Sequence, residues 1–243
     1  MMIDIHNHIL PNVDDGSKSI NMSINMLKHA FEQGVTEVVN TTHFQHPLFM
    51  DIDYSIKRIE SIKTELQKKL YENNIFIKIH LGYEVYYYEN LLKIIKQPLV
   101  TMGNGKYILI EFTPNNIPSS QKQTLFDLKM SGVTPIIAHP ERYKAVHENF
   151  NLIYDWINSG CLIQVDCGSL LGLMGKRAKE ASLSIIKENA CHILASDAHN
   201  DTNRNFCIKD AYNIVSKIIG QKESNKLVLE YPSSIIRGED LYF

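Results

Sequence analysis

The chain has 243 residues, 44% hydrophobic and 21% charged, with a formal net charge of -2. This is globular composition, and it excludes disordered and collagenous classes; no apolar run approaches the roughly 20 residues that a membrane-crossing helix needs. Lys and Arg are scattered without a basic stripe, which argues against a nucleic-acid partner.

Residues 2–6 (MIDIH) read as a first buried strand. A helix follows over 17–34, with Ile20, Ile24, Leu27 and Phe31 at helical spacing, Ser17 or Ser19 placed to cap its start, and Gly34 to stop it. The β-branched run 35–43 predicts a second strand. A second helix carries Ile56, Ile59, Leu66 and Leu70; acids and bases interleave over 57–70, as on a solvated face. Further strands are predicted at 75–85, 106–112, 133–140, 161–170 and 191–199. Helical patterns at 119–131, 148–158, 176–189 and 205–219 separate most of them.

Apolar strands alternating with helices predict an α/β domain with a parallel sheet buried on both faces. Seven or eight such units predict a closed or distorted (β/α) barrel as one domain over residues 1–243; an open doubly wound sheet has the same periodicity. The glycine-containing stretches 103–107 and 172–177 lack the spacing of a phosphate loop and read as turns. Cys161, Cys167, Cys191 and Cys207 include no Cys-x-x-Cys pair, and Asp4, His6 and His8 stand where a signal peptide needs an apolar core. The expectation is a cytoplasmic protein with reduced, mostly buried thiols.

The polar residues gather at the ends of the predicted strands. His6 and His8 end the first strand, His43 the second, Glu84 the third, Glu111 the fourth and His139 the fifth; Asp197 and His199 end the seventh. In a parallel barrel all these ends lie on one face, where barrel active sites are built. Each element alone has an ordinary reading: His-x-His is common, a strand-end glutamate pairs with lysine, and Asp14-Asp15-Gly16 makes a turn. Packing does not explain all of them on one rim. Clustered carboxylates need compensating positive charge, which metal ions supply. Alternation along a strand points His6 and His8 the same way, and mixed N/O donors suit Mn, Fe or Zn. Spacing does not choose between Asp14 and Asp15.

Arg142 lies three residues after His139 and Arg204 in the loop after His199, and guanidinium forks match phosphate oxygens. Singly they read equally well as solvated loop residues. His29, His46, His147 and His192 read as surface or packing residues; His80, on the same side of its strand as Glu84, reads as a buried structural residue ahead of one supporting the site, and Tyr86, Tyr87 and Tyr88 as packing ahead of a substrate rim.

The segments DIHNHILPNVDDGSKS, TTHF, GYEVYYY, ILIEF, IIAHPERY and LASDAHNDTNR together resemble the PHP-type bacterial protein-tyrosine phosphatases of capsule and exopolysaccharide operons. The resemblance runs in order through the chain. It implies a distorted (β/α)7 barrel and up to three metal ions, manganese first, with iron or zinc as alternatives. By resemblance, one ion takes His6, His8, Glu84 and Asp197; a second takes Glu84 as a bridge, Glu111 and His139; a third takes Asp15, His43 and His199. Arg142 and Arg204 match the family's phosphate-binding arginines, and His199 is placed to assist the leaving group. The implied reaction is attack of metal-activated hydroxide on phosphotyrosine without a phosphoenzyme. The implied substrate is a tyrosine-phosphorylated protein, in particular a cognate bacterial tyrosine kinase. The rivals are another PHP phosphoesterase such as a histidinol-phosphate phosphatase, a metal-dependent amidohydrolase, and a non-enzymatic metal-stabilised module bound to a kinase.

Overall fold

The structure, a computed structural model, describes residues 1–49 and 51–241. Seven strands form one sheet in sequence order: β1 (Met2–Asn7), β2 (Val35–Phe44), β3 (Lys78–Tyr86), β4 (Tyr107–Glu111), β5 (Thr134–Ala138), β6 (Leu162–Asp166) and β7 (Ile193–Ala195). Every neighbouring pair is parallel. Ten α-helices are described: α1 (Ile20–Glu32), α2 (Ile56–Glu72), α3 (Gln121–Met130), α4 (Lys144–Glu148), α5 (Asn151–Asn158), α6 (Cys167–Leu171), α7 (Lys176–Lys187), α8 (Ile208–Ile219), α9 (Gln221–Asn225) and α10 (Tyr231–Arg237). None is long and apolar enough to cross a membrane.

The predicted elements are present with shifted edges. The sixth strand stops at Asp166 rather than continuing to 170. The Asp166 carboxylate accepts the N–H groups of Gly168 at 3.0 Å and Ser169 at 2.8 Å, which caps α6 and ends the strand. The seventh strand keeps only three residues, because the backbone turns into the left-handed region at Asp197 (φ 46°). Ser19 supplies the cap of α1, accepting from the Met22 N–H at 3.1 Å.

Inside the barrel, Ile3, Ile5, Val39, Leu109, Ile136, Leu162 and Ile193 form an apolar plug with Ile235 of α10. Outside it, Val38, Ile108, Ile110, Ile137, Ile163 and Leu194 pack into the core that the helices share. Burying both strand faces explains why the strand sequences are continuously apolar.

The β1–β7 seam is irregular. At its upper end the Asp197 N–H donates to the His6 carbonyl and the His8 N–H to the Ala198 carbonyl, both at 2.8 Å. Lower down, a π-type turn (Lys226–Glu230) packs against both strands. β1 also carries a bulge. Asp4 pairs with Val38 and Asn7 with Asn40, so two residues of β1, Ile5 and His6, oppose one of β2. The buried Asp4 carboxylate holds that bulge and the seam together. One oxygen accepts the His6 N–H at 3.0 Å and the Asn7 side-chain amide at 3.1 Å; the other accepts the Ser196 N–H at 2.8 Å.

Asp4→Ala would leave the buried His6 and Ser196 N–H groups without this acceptor, while the Asn7 amide keeps only the Val39 carbonyl. The expected loss is about 2–3 kcal/mol, seen by calorimetry as a Tm lowered by about 5–10 °C. An unchanged Tm would mean that Asp4 contributes nothing to the seam.

Candidate metal centre

The upper rim of the barrel collects the strand-end residues. β1 delivers His6, and His8 follows one residue past its end; β2 delivers His43, β3 Glu84 and β4 Glu111. His139 follows β5 and Asp197 follows β7, each at positive φ, 33° and 46°. Such backbone costs energy and is held by its surroundings, as is common at functional sites. The loop after β1 brings in Asp14 and Asp15. Its turn needs glycine at position 16, where a Cβ would lie 2.2 Å from the His8 carbonyl oxygen.

Three groups of donors result, with the donor atoms of each within 4.8 Å of one another: His6, His8, Glu84 and Asp197; His8, Asp15, His43 and His199; and His43, Glu84 and Glu111. In the first, Nε2 of His6 lies 3.2 Å from Glu84 Oε1 and 3.3 Å from Asp197 Oδ1. Nε2 of His8 lies 3.3 Å from both Glu84 Oε2 and Asp197 Oδ1. Asp15 Oδ1 is 3.4 Å from Nε2 of both His43 and His199. The other nitrogen of His43, Nδ1, faces Glu84 at 3.1 Å and Glu111 at 3.7 Å. His139 joins from the far side, its Nε2 2.9 Å from Glu84 and 3.8 Å from Glu111.

Buried polar atoms without partners are costly and rare. Here they converge: His6 Nε2, His8 Nε2, His43 Nδ1, Asp15 Oδ1, Glu84 Oε2, Glu111 Oε2 and Asp197 Oδ1 are buried and make no hydrogen bond. Imidazole nitrogens and carboxylate oxygens aimed at common points are the donor chemistry of borderline divalent ions.

The imidazoles are held from behind. His6 Nδ1 bonds Gln164 Oε1 at 2.9 Å, His8 Nδ1 bonds Asp14 Oδ2 at 2.8 Å, and His199 Nδ1 bonds the Asp197 carbonyl at 2.8 Å. Each bond turns Nε2 toward the cluster. Gln164 also accepts the His139 N–H at 3.2 Å, and Asp14 the His43 N–H at 3.1 Å. Asp14 therefore orients two histidines, whereas Asp15 points inward. The sequence gives no sign of this role for Gln164, because a neutral amide within an apolar strand carries no ligand signal.

Charges within the cluster are strongly coupled. Burial pushes the Glu84 carboxyl up, but His6, His43 and His139 outweigh it and hold the group well below the usual range. Asp197 is likewise held low against burial by His199 and Arg142. Burial and the Glu84 charge push Glu111 up to about 8. Burial pulls His8 down, but Asp14 and the other carboxylates lift it well above the ordinary imidazole value. A cation would compete with protons for these atoms.

Both arginines converge on Asp197. Arg142 Nη1 is 2.6 Å and Arg204 Nη2 2.9 Å from Asp197 Oδ2, while Oδ1 faces the histidines. Arg142 Nη2 is 2.7 Å from Asp166, so this buried aspartate fixes the second edge of the guanidinium. In the sequence Asp166 carries no site signal, because the predicted sixth strand runs to 170 and puts this strand-end carboxylate in a strand interior.

Two histidine readings need correction. His80 is only half-buried and lies at the other end of β3, its Nε2 2.7 Å from Glu37. His46 lines the cavity above the cluster, with Nε2 3.8 Å from Glu111. Burial and the nearby His43 keep His46 below the ordinary imidazole value. That cavity is about 190 Å³ and is lined also by Asp15, Arg142, Arg204, Leu48 and Phe49. Tyr86 stands edge-on to His46, ring centres 4.8 Å apart, while Tyr87 is buried with its hydroxyl near Thr124.

The family described as Capsular polysaccharide synthesis, CpsB/CapC, matches residues 2–237. The tyrosine-protein phosphatase YwqE of Bacillus subtilis is 33% identical over 242 residues, 99% of this chain and 94% of its own. The tyrosine-protein phosphatase CpsB of Streptococcus agalactiae serotype V is 32% identical over 244 residues, 98% of this chain and 99% of its own. In three dimensions the chain is similar to the crystal structures of YwqE from Bacillus subtilis and CpsB from Streptococcus pneumoniae, described as metal-dependent tyrosine phosphatases. The TM-score is 0.91 at 32% identity, covering 99% of this chain and 96% of that one. With a match along nearly its whole length, the chain belongs to the CpsB/CapC family.

Proposed function

We propose that this chain hydrolyses phosphotyrosine on proteins as a metal-dependent phosphatase. The observation that carries the reading is one rim on which partnerless buried donors converge beside two arginines. The relatives' names and the matched crystal structure point to the same chemistry. His6, His8, Glu84 and Asp197 would hold one ion; Glu84, Glu111 and His139 a second; Asp15, His43 and His199 a third. Manganese suits this N/O set, with iron or zinc as alternatives. The substrate proposed is a cognate bacterial tyrosine kinase in capsule or exopolysaccharide synthesis. The four unpaired cysteines, mostly buried, fit a reducing, cytoplasmic setting.

When bound, divalent ions lower the pKa of water and offset phosphoryl charge. The protein supplies the rest. Arg142 and Arg204 turn from Asp197 Oδ2 to phosphoryl oxygens, with Asp166 holding the other edge of Arg142. Gln164 and Asp14 keep the imidazoles fixed, so little reorganisation accompanies the reaction. Among the described residues no cysteine lines the cavity, in keeping with direct attack by water rather than a cysteinyl intermediate. Phenolate is a fair leaving group, so proton delivery from His199 is a minor contribution.

His6→Ala and Asp197→Ala should each lower hydrolysis of a phosphotyrosine peptide with Mn²⁺ at least about a hundredfold, beyond the 10–100-fold typical of outer partners. Full activity in either variant, or preference of the wild type for histidinol phosphate, would overturn the reading. Gln164→Ala should weaken Mn²⁺ binding about 10–100-fold in a calorimetric titration; unchanged affinity would show that it does not orient His6. Because His8 holds its proton to a raised pH, Mn²⁺ binding should release protons and weaken as pH falls. Titrations in buffers of different ionisation enthalpy check this, and a pH-independent affinity would contradict it.

A further inference from the structure

The cavity above the cluster is polar except at one edge. Among its described lining residues, Leu48 and Phe49 are the only apolar side chains, and both lie on the loop after β2. Exposure rises from floor to mouth: Glu84 is 1% exposed, His43 7% and Leu48 80%. Leu48 and Phe49 also border a second cleft of about 430 Å³ on their far side, so they stand as a ridge between two depressions.

The ridge is built, not loose. The His46 carbonyl accepts the Phe49 N–H at 2.9 Å, and His46 Nδ1 accepts the Leu48 N–H at 3.2 Å. The Phe49 ring stacks on His43, with centres 5.1 Å apart and planes 18° apart, and lies 4.9 Å from the His46 ring. His46 is braced in turn by Tyr86. An aromatic ring thus borders the cavity that Arg142 and Arg204 also line.

We propose that Leu48 and Phe49, positioned by His46, form the wall that receives the ring of a phosphorylated tyrosine and make the site read tyrosine rather than serine or threonine. The inference rests on the phosphotyrosine reading above. With its phosphoryl group on Arg142 and Arg204, a phosphotyrosine carries a rigid ring past the ridge before its main chain begins. A phosphoserine has one methylene there, so its main chain would have to descend beside the ridge. Ring-on-ring contact adds to affinity without touching the reacting atoms, so its loss appears in binding rather than turnover.

The test compares phenyl phosphate with inorganic phosphate as ligands of the Mn²⁺-supplied protein, by calorimetry, alongside kinetics on a phosphotyrosine peptide. Phe49→Ala should weaken phenyl phosphate about tenfold and leave inorganic phosphate unchanged. KM for the peptide should rise by a similar factor with little change in kcat, and Phe49→Tyr should restore both. Leu48→Ala, which leaves the His43 stack in place, should shift phenyl phosphate in the same direction. Equal weakening of both ligands would assign Phe49 to holding His43 and overturn the proposal, as would no change in either variant. Binding reads the ridge independently of turnover. A wild type that prefers phenyl phosphate but hydrolyses no phosphotyrosine would fail the phosphatase reading and support the ridge.

Discussion

The site depends on the bulge that Asp4 holds in β1. Ile3 and Ile5 fill the barrel interior, and His6 and His8 point into the same interior above them. In a regular strand these odd and even positions would face opposite sides. One extra residue reconciles them, and the backbone N–H that it leaves without a ladder partner is taken by the Asp4 carboxylate. The second oxygen of Asp4 reaches Ser196, next to Asp197. A single buried side chain thus ties together β1 and the end of β7, which deliver three of the four residues of the first donor group, His6, His8 and Asp197.

Asp197 links that group to the phosphate-binding side. Its Oδ1 meets His6 and His8, and its Oδ2 meets Arg142 and Arg204. Positive charge on both sides keeps it ionised despite full burial. A substrate phosphoryl group would take over the arginines from one oxygen while the other stays committed to the cluster. Ligand placement and substrate placement therefore share one carboxylate, held by the left-handed turn that shortens β7.

Much of this was legible because the residue types are rare where they occur. Imidazoles and carboxylates at the carboxyl ends of apolar runs seldom arise from packing, so the rim showed in the one-dimensional pattern. The bulge left only a parity conflict between Ile3/Ile5 and His6/His8. Gln164 and Asp166 lie within or just after apolar runs, and their roles appear only when β6 is seen to end at its cap. His46 and Phe49 sit in a loop with no periodicity, and the fold of that loop over β2 is a tertiary fact. His43 faces donors with both ring nitrogens, which spacing cannot express.

Cations shared among these donors would explain why so many of them stand partnerless on one rim. Anomalous diffraction from crystals grown with Mn²⁺ tests this explanation directly. Ion density is expected between His6, His8, Glu84 and Asp197, with further density at the sites bounded by Glu84, Glu111 and His139 and by Asp15, His43 and His199. No anomalous density within reach of His6, His8, Glu84 and Asp197 would contradict it.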